Sequence, residues 1–61
     1  MVTSVHHIGI VVRSLRDAYR FWRDTLELPV IREAELKDQG VRAALLAAGG
    51  SEIELLEPLA S

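Results

Sequence analysis

Cysteine is absent from the 61-residue sequence, and this absence excludes disulfide bonds as a source of stability. A domain of about 60 residues buries only about 60% of the surface that its unfolded chain exposes, so its stability is marginal. Small chains compensate for this with disulfides, a bound metal or association with other chains. We therefore expect a metal ion or a partner chain to supply the missing stability.

An excess of basic residues is also missing. The sequence has seven Lys and Arg residues and nine Asp and Glu residues, and this slight negative charge disfavours a nucleic acid or an anionic membrane as the partner. No apolar run approaches the roughly 20 residues of a membrane span. The opening MVTSVHH lacks the charged region and apolar segment of a signal peptide, so we expect a cytoplasmic protein.

The first periodic stretch, VHHIGIVV at 5–12, is rich in β-branched residues and predicts a strand. Strand alternation places His7 with Gly9 on one face and His6 on the other. The following RSLRDAYRFWRDTLEL predicts an amphipathic helix, with Ser14 as its N-cap and Pro29 as its terminator. Its apolar stripe consists of Leu15, Ala18, Tyr19, Trp22 and Leu26.

Three further strands are predicted after the helix. Residues 30–37 alternate weakly, with Val30, Ala34 and Leu36 facing away from Glu33 and Glu35, as in an edge strand or an irregular hairpin arm. Residues 38–40 form a turn, and 41–48 could be helical by propensity, but their short length between glycine turns favours a strand. The two glycines at 49–50 then fit a two-residue hairpin turn. The last strand covers 51–58, so the chain is predicted to be one α+β domain over 1–61, in the order β-α-β-β-β.

Two polar residues interrupt the apolar strands. His7 lies within the first strand, and Glu54 lies between apolar neighbours in the last. Burying a carboxylate is costly unless it is paired or binds a cation, and a histidine on a strand is a common metal ligand. Each residue also has an ordinary interpretation, because His7 could be a half-exposed core histidine and Glu54 could face solvent. Together they supply one nitrogen and one oxygen donor, half of a usual coordination shell.

These residues resemble a known superfamily. HHIGIVVRSLRDAYRFWRDTLELPV is similar to the opening of a vicinal-oxygen-chelate module of the glyoxalase, bleomycin-resistance and dioxygenase type. Within it, DQGVRAALLAAGGSEIELLEP resembles most closely the N-terminal half of methylmalonyl-CoA epimerases. The resemblance implies a βαβββ module with a curved mixed sheet in which the first and last strands are neighbours. It also implies that His7 and Glu54 are metal ligands.

Members of this superfamily combine two such modules at one site, whereas this chain contains one. The resemblance therefore implies that a second module is required. A homodimer, or a larger even assembly, would place His7 and Glu54 of each subunit around one shared metal. A natural half-size protein, an engineered one, a fragment and a partnership with a different chain all fit the sequence.

The resemblance implies a divalent metal (Co, Mn, Ni, Zn or Fe) that stabilises an enolate formed by proton removal next to a carbonyl. Glu54 is the expected catalytic base. The expected activity is epimerase-like on a small-molecule substrate. A lactoylglutathione lyase-like isomerase and a non-catalytic metal- or small-molecule-binding module are the alternatives.

Overall fold

The computed structural model describes residues 7–59, and they form the βαβββ arrangement expected from the sequence. The elements are β1 (His7–Val11), α1 (Leu15–Tyr19), a π-helical turn (Arg20–Thr25), β2 (Val30–Leu36), a 3-10 turn (Lys37–Gln39), β3 (Val41–Ala48) and β4 (Ser51–Pro58). The sheet order is β1-β4-β3-β2, with β1 parallel to β4 and the other pairs antiparallel. The predicted α+β class and the adjacency of the first and last strands are confirmed. The predicted strand start at Val5 and the orientation of His6 lie outside the described residues.

The helix begins as predicted and ends earlier than predicted. The Ser14 side chain accepts a hydrogen bond from the backbone N–H of Asp17, as an N-cap does. After α1 the chain widens into π-helical geometry, in which the Leu26 N–H donates to the Phe21 carbonyl five residues earlier. The wider turn moves Leu26 off the apolar stripe and leaves it 45% exposed. The helix ends at Thr25, ahead of Pro29.

The core lies between the helix and one face of the sheet. It is formed by Leu15, Ala44, Leu46 and Leu55, with Ile10, Val12, Ala18, Tyr19, Trp22, Leu28 and Ile53 packed around them. Leu46 and Leu55 are fully buried. Because side chains alternate along a strand, the residues between these core positions point to the other side of the sheet.

We call this second side the open face, since among residues 7–59 no helix covers it. Register and strand alternation assign twelve of its residues: His7, Gly9, Val11, Arg32, Ala34, Leu36, Ala43, Leu45, Ala47, Glu52, Glu54 and Leu56.

The edge strand β2 contains a bulge that the sequence did not predict. Val30 pairs with Leu46, yet Arg32 pairs with Leu45, so Ile31 is an extra residue on β2. Ala34 and Leu36 share one side of the sheet, as predicted, and this side is the open face. Val30 pairs with the core residue Leu46 and therefore lies on the helix side. The expectation that Val30 shares a face with Ala34 and Leu36 was wrong, because the extra residue shifts the alternation by one position.

Two glycines fix the turns between strands. Gly40 follows the 3-10 turn with φ 68°, and Gly49 begins the β3–β4 hairpin turn with φ 64°. Both values lie in the left-handed region, which glycine adopts without the steric cost of a Cβ atom. The predicted two-residue turn at 49–50 is confirmed, since Ala48 pairs with Ser51.

Candidate functional site

His7 and Glu54 meet on the open face. The Nε2 atom of His7 lies 2.9 Å from the Oε1 atom of Glu54, although the residues are 47 positions apart in the chain. The His7 side chain is 48% exposed and that of Glu54 is 28% exposed. The pair is therefore accessible to a ligand approaching from solvent.

The topology produces this contact. Because β1 runs parallel to β4, Gly9 is directly opposite Glu54 and His7 is opposite Glu52. His7 thus reaches Glu54 diagonally along the same face, within the range of a long side chain. Ile53 and Leu55 point into the core on either side of Glu54, so its carboxylate avoids burial. Glu54 is thus half-buried and contacts His7, whereas a residue that only faced solvent would need no such partner.

The donor set of this pair fits a divalent cation in part. Imidazole nitrogen and carboxylate oxygen are the donors that zinc and related metals use. The 2.9 Å separation of these two atoms is an ordinary hydrogen-bond distance, so a metal ion bound here would take the place of that hydrogen bond. Among residues 7–59, no three His, Cys, Asp or Glu side chains group closely enough to hold a metal ion. His7 and Glu54 can therefore supply half of a shell.

Glu52 shares the open face with Glu54 and stands opposite His7 in the strand register. Within the described residues, the Glu52 carboxylate does not lie close enough to His7 and Glu54 to form a three-ligand metal site with them. Its place on the same face as Glu54 follows from the alternation of side chains along β4.

A second polar cluster lies on the helix side of the sheet. The Tyr19 hydroxyl donates a hydrogen bond to Glu33, and the Arg23 guanidinium lies 4.7 Å from the centre of the Tyr19 ring. Burial, followed by the bond to Glu33 and its negative charge, raises the pKa of Tyr19 to about 12. Arg23 also donates to Asp24 at 2.7 Å, which raises the pKa of Arg23 and lowers that of Asp24. The sheet separates this cluster from His7 and Glu54.

Sequence reasoning assigned Tyr19 to the helix stripe, and the structure places it there, packed against the core. It missed the bond to Glu33, because that bond depends on β2 lying beneath the helix. It also missed Arg32, which the β2 bulge brings to the open face. In neither case does local spacing give a signal.

Within the part of the chain that the structure describes, no helix has the length and apolar character needed to span a membrane.

Comparison with known proteins gives consistent matches. Residues 6–61 match the sequence profile of the Glyoxalase/Bleomycin resistance protein/Dioxygenase superfamily. The uncharacterized protein YqjC of Bacillus subtilis is 38% identical over 58 residues, which are 95% of this chain and 41% of that protein.

Solved structures agree. Hypothetical protein BH1468 from Bacillus halodurans superposes with a TM-score of 0.86 at 44% identity, covering 93% of this chain and 41% of that one. Methylmalonyl-CoA epimerase from Mycobacterium tuberculosis gives a TM-score of 0.79 at 35% identity, covering 98% and 44%.

The chain thus spans less than half the length of these relatives, as one module of a two-module protein does. Its βαβββ order, its sheet topology and the profile match over residues 6–61 agree with one another. The chain belongs to the Glyoxalase/Bleomycin resistance protein/Dioxygenase superfamily, and methylmalonyl-CoA epimerases are among its structural neighbours.

Proposed function

We propose that this chain is one half of a divalent-metal-dependent enzyme that removes a proton next to a carbonyl group, as in methylmalonyl-CoA epimerases. The observation that carries the proposal is the contact between His7 and Glu54, which joins a nitrogen and an oxygen donor at 2.9 Å on an accessible face. The similarity to methylmalonyl-CoA epimerases supports the choice of reaction.

The partner in this proposal is a second copy of the chain. His7 and Glu54 supply two donors, and a two-fold axis beside them would add the same two residues of the partner. β1 forms one edge of the sheet, so the pair lies close to a free edge where another module can approach. This chain covers less than half of each similar solved structure, which supports the need for a second module.

The residues have distinct roles in the proposed chemistry. His7 and Glu54 would hold a divalent cation here, and that cation would supply Lewis-acid chemistry that makes the C–H bond next to a substrate carbonyl more acidic. The Glu54 carboxylate would accept that proton on one side of the carbon, and a protonated Glu54 of the second copy would deliver a proton to the opposite side, which inverts the configuration. His7 presents Nε2 toward the same position and holds the metal without taking part in proton transfer.

Metal content and assembly test the proposal. Protein purified without chelator is expected to contain one metal per two chains and to run as a dimer by native mass spectrometry. His7→Ala should lose the metal, whereas the neighbouring His6→Ala should keep it. An unchanged metal content in His7→Ala, or a folded monomer as the sole species, would contradict the assignment.

Isotope exchange at the substrate α-carbon separates an enzyme from a binding module. Wild-type protein in deuterium oxide should exchange the α-proton of methylmalonyl-CoA. Glu54→Gln should lower the rate by at least about a hundredfold, the usual effect of a general base. Exchange only with the hemithioacetal of glutathione would favour a lactoylglutathione lyase-like activity, and bound metal without exchange would favour a non-catalytic module.

A further inference from the structure

The open face extends from the His7–Glu54 pair across the sheet to an arginine on the far strand. Gly9, Glu54, Leu45 and Arg32 form one row, each paired with the next on the neighbouring strand. Neighbouring strands are about 4.8 Å apart, so the backbones at Glu54 and Arg32 are separated by roughly 10 Å. A ligand of a few atoms can span this distance once the long arginine side chain is included.

The bulge on β2 determines the side on which Arg32 lies. If β2 and β3 paired regularly from Val30 and Leu46, Arg32 would stand opposite Ala44 and point toward the helix. The extra Ile31 places Arg32 opposite Leu45 instead, on the same side as Glu54. Bulges that redirect a side chain are enriched next to active sites.

Arg32 lines a small concavity that also reaches Glu54. The concavity has a volume of about 120 Å³ and is bordered by Arg32, Ala34, Leu36, Ala43, Leu45 and Glu54. The charged residues are Arg32 and Glu54, and the other four lining residues are apolar. Leu45 lies between the two charged residues in the sheet. The volume corresponds to about four water molecules, which admits a small acyl or carboxylate group.

The Arg32 guanidinium is also unpaired. Within residues 7–59 it forms no hydrogen bond or ion pair, whereas Arg23 binds Asp24 and Arg42 binds Glu35. Both ion pairs lie away from the open face, so Arg32 is the guanidinium that borders the apolar part of the concavity. A planar guanidinium offers two parallel N–H donors to a carboxylate or phosphate oxygen pair.

We propose that Arg32 binds the anionic group of the substrate whose carbonyl end is held at His7 and Glu54. This inference rests on the proposed function for the reacting end of the substrate. It adds a specificity-determining residue and restricts the substrate to small molecules that carry an oxyanion a few atoms from the reacting carbon.

A different role for Arg32 makes a separate prediction. As a charge on an edge strand, Arg32 would only discourage pairing with other sheets. Replacing it would then increase aggregation and leave anion binding unchanged. Anion binding is therefore the property to measure.

The test is an NMR titration of wild-type protein with malonate, inorganic phosphate and neutral malonamide, with and without zinc. Malonate or phosphate should shift the Arg32 Nε–H signal, and malonamide should not. Arg32→Ala should weaken binding of the anion by about tenfold, and Arg32→Lys by about threefold, because lysine lacks the bidentate geometry. Arg16→Ala removes the same charge on the helix side and should bind as wild type does.

The possible outcomes are distinct. Anion binding that depends on Arg32 supports the proposal, and the effective probe distinguishes a carboxylate from a phosphate. Equal affinities in Arg32→Ala and Arg16→Ala, or the absence of a shift at Arg32 in wild-type protein, overturn it. Metal content is measured on the same samples. A protein that binds the anion through Arg32 but holds no metal therefore refutes the proposed function alone.

Discussion

Replacing Glu54 with glutamine separates the stability of the His7–Glu54 contact from that of a metal-bound site. The substitution keeps the shape of the side chain and removes its charge. Without metal, the contact joins side chains that are 48% and 28% exposed. Exposed ion pairs contribute about 0–1 kcal/mol, so Glu54→Gln should lower the metal-free unfolding free energy by less than about 1 kcal/mol.

With metal the expected difference is larger. A ligand that binds only the folded state adds about 2.7 kcal/mol to stability when its concentration is a hundred times Kd. For a chain of this size, that corresponds to an increase in Tm of about 10–20 °C. Glu54→Gln weakens one of the proposed metal ligands and should lose most of this gain. In the proposed dimer the other donors come from a second chain, so the gain in wild-type protein should rise with protein concentration.

Thermal unfolding with EDTA and with a series of zinc or cobalt concentrations measures both quantities. Glu52→Gln is the matched control, since it removes the same charge from the same face of β4 and should retain the metal-dependent increase. The reasoning is refuted if wild-type protein and Glu54→Gln gain equally from metal. It is also refuted if Glu52→Gln loses as much as Glu54→Gln.

Three further predictions concern the fold. The pKa of Tyr19 is raised to about 12, so the unfolded chain loses the hydroxyl proton at a lower pH than the folded one. The free energy of unfolding should therefore fall between about pH 10 and 12. Tyr19→Phe should remove most of this fall, as measured by urea unfolding at a series of pH values. Leu55→Ala empties a fully buried position and should cost about 2–5 kcal/mol by urea unfolding, and a smaller loss would contradict the burial. Gly49 has φ 64°, so Gly49→Ala should lower the free energy of unfolding by about 1–2 kcal/mol, and Gly50→Ala should lower it much less. Thermal unfolding measures both losses, and equal losses would contradict the turn geometry.

Local patterns in the sequence were sufficient for the kinds and order of the elements. The Ser14 cap, the glycine turn at 49–50 and the β-branched strands depend on residues close together in the chain. The same local patterns predicted which side of β1 His7 occupies relative to Gly9. The two candidate ligands were also recognised in sequence, because a histidine and a glutamate in apolar strands are conspicuous.

Other features required the tertiary structure. The Leu26 prediction was wrong because the helix widens into a π-turn, and periodicity assumes a constant number of residues per turn. The Val30 prediction was wrong because the Ile31 bulge shifts the alternation of β2 by one residue. Hydrophobic periodicity gives no sign of either distortion, because it assumes regular elements throughout.

The sequence by itself therefore determined that this chain builds one βαβββ module with His7 and Glu54 as unusual polar residues. The parallel pairing of β1 with β4, which brings their side chains to 2.9 Å, is a contact between residues 47 positions apart. The position of Arg32 on the same face depends on the Ile31 bulge in β2, a strand that lies two places from β4 in the sheet. Composition and spacing act over a few neighbouring residues, whereas these contacts depend on how separate strands align in the sheet, and only the tertiary structure fixes that alignment.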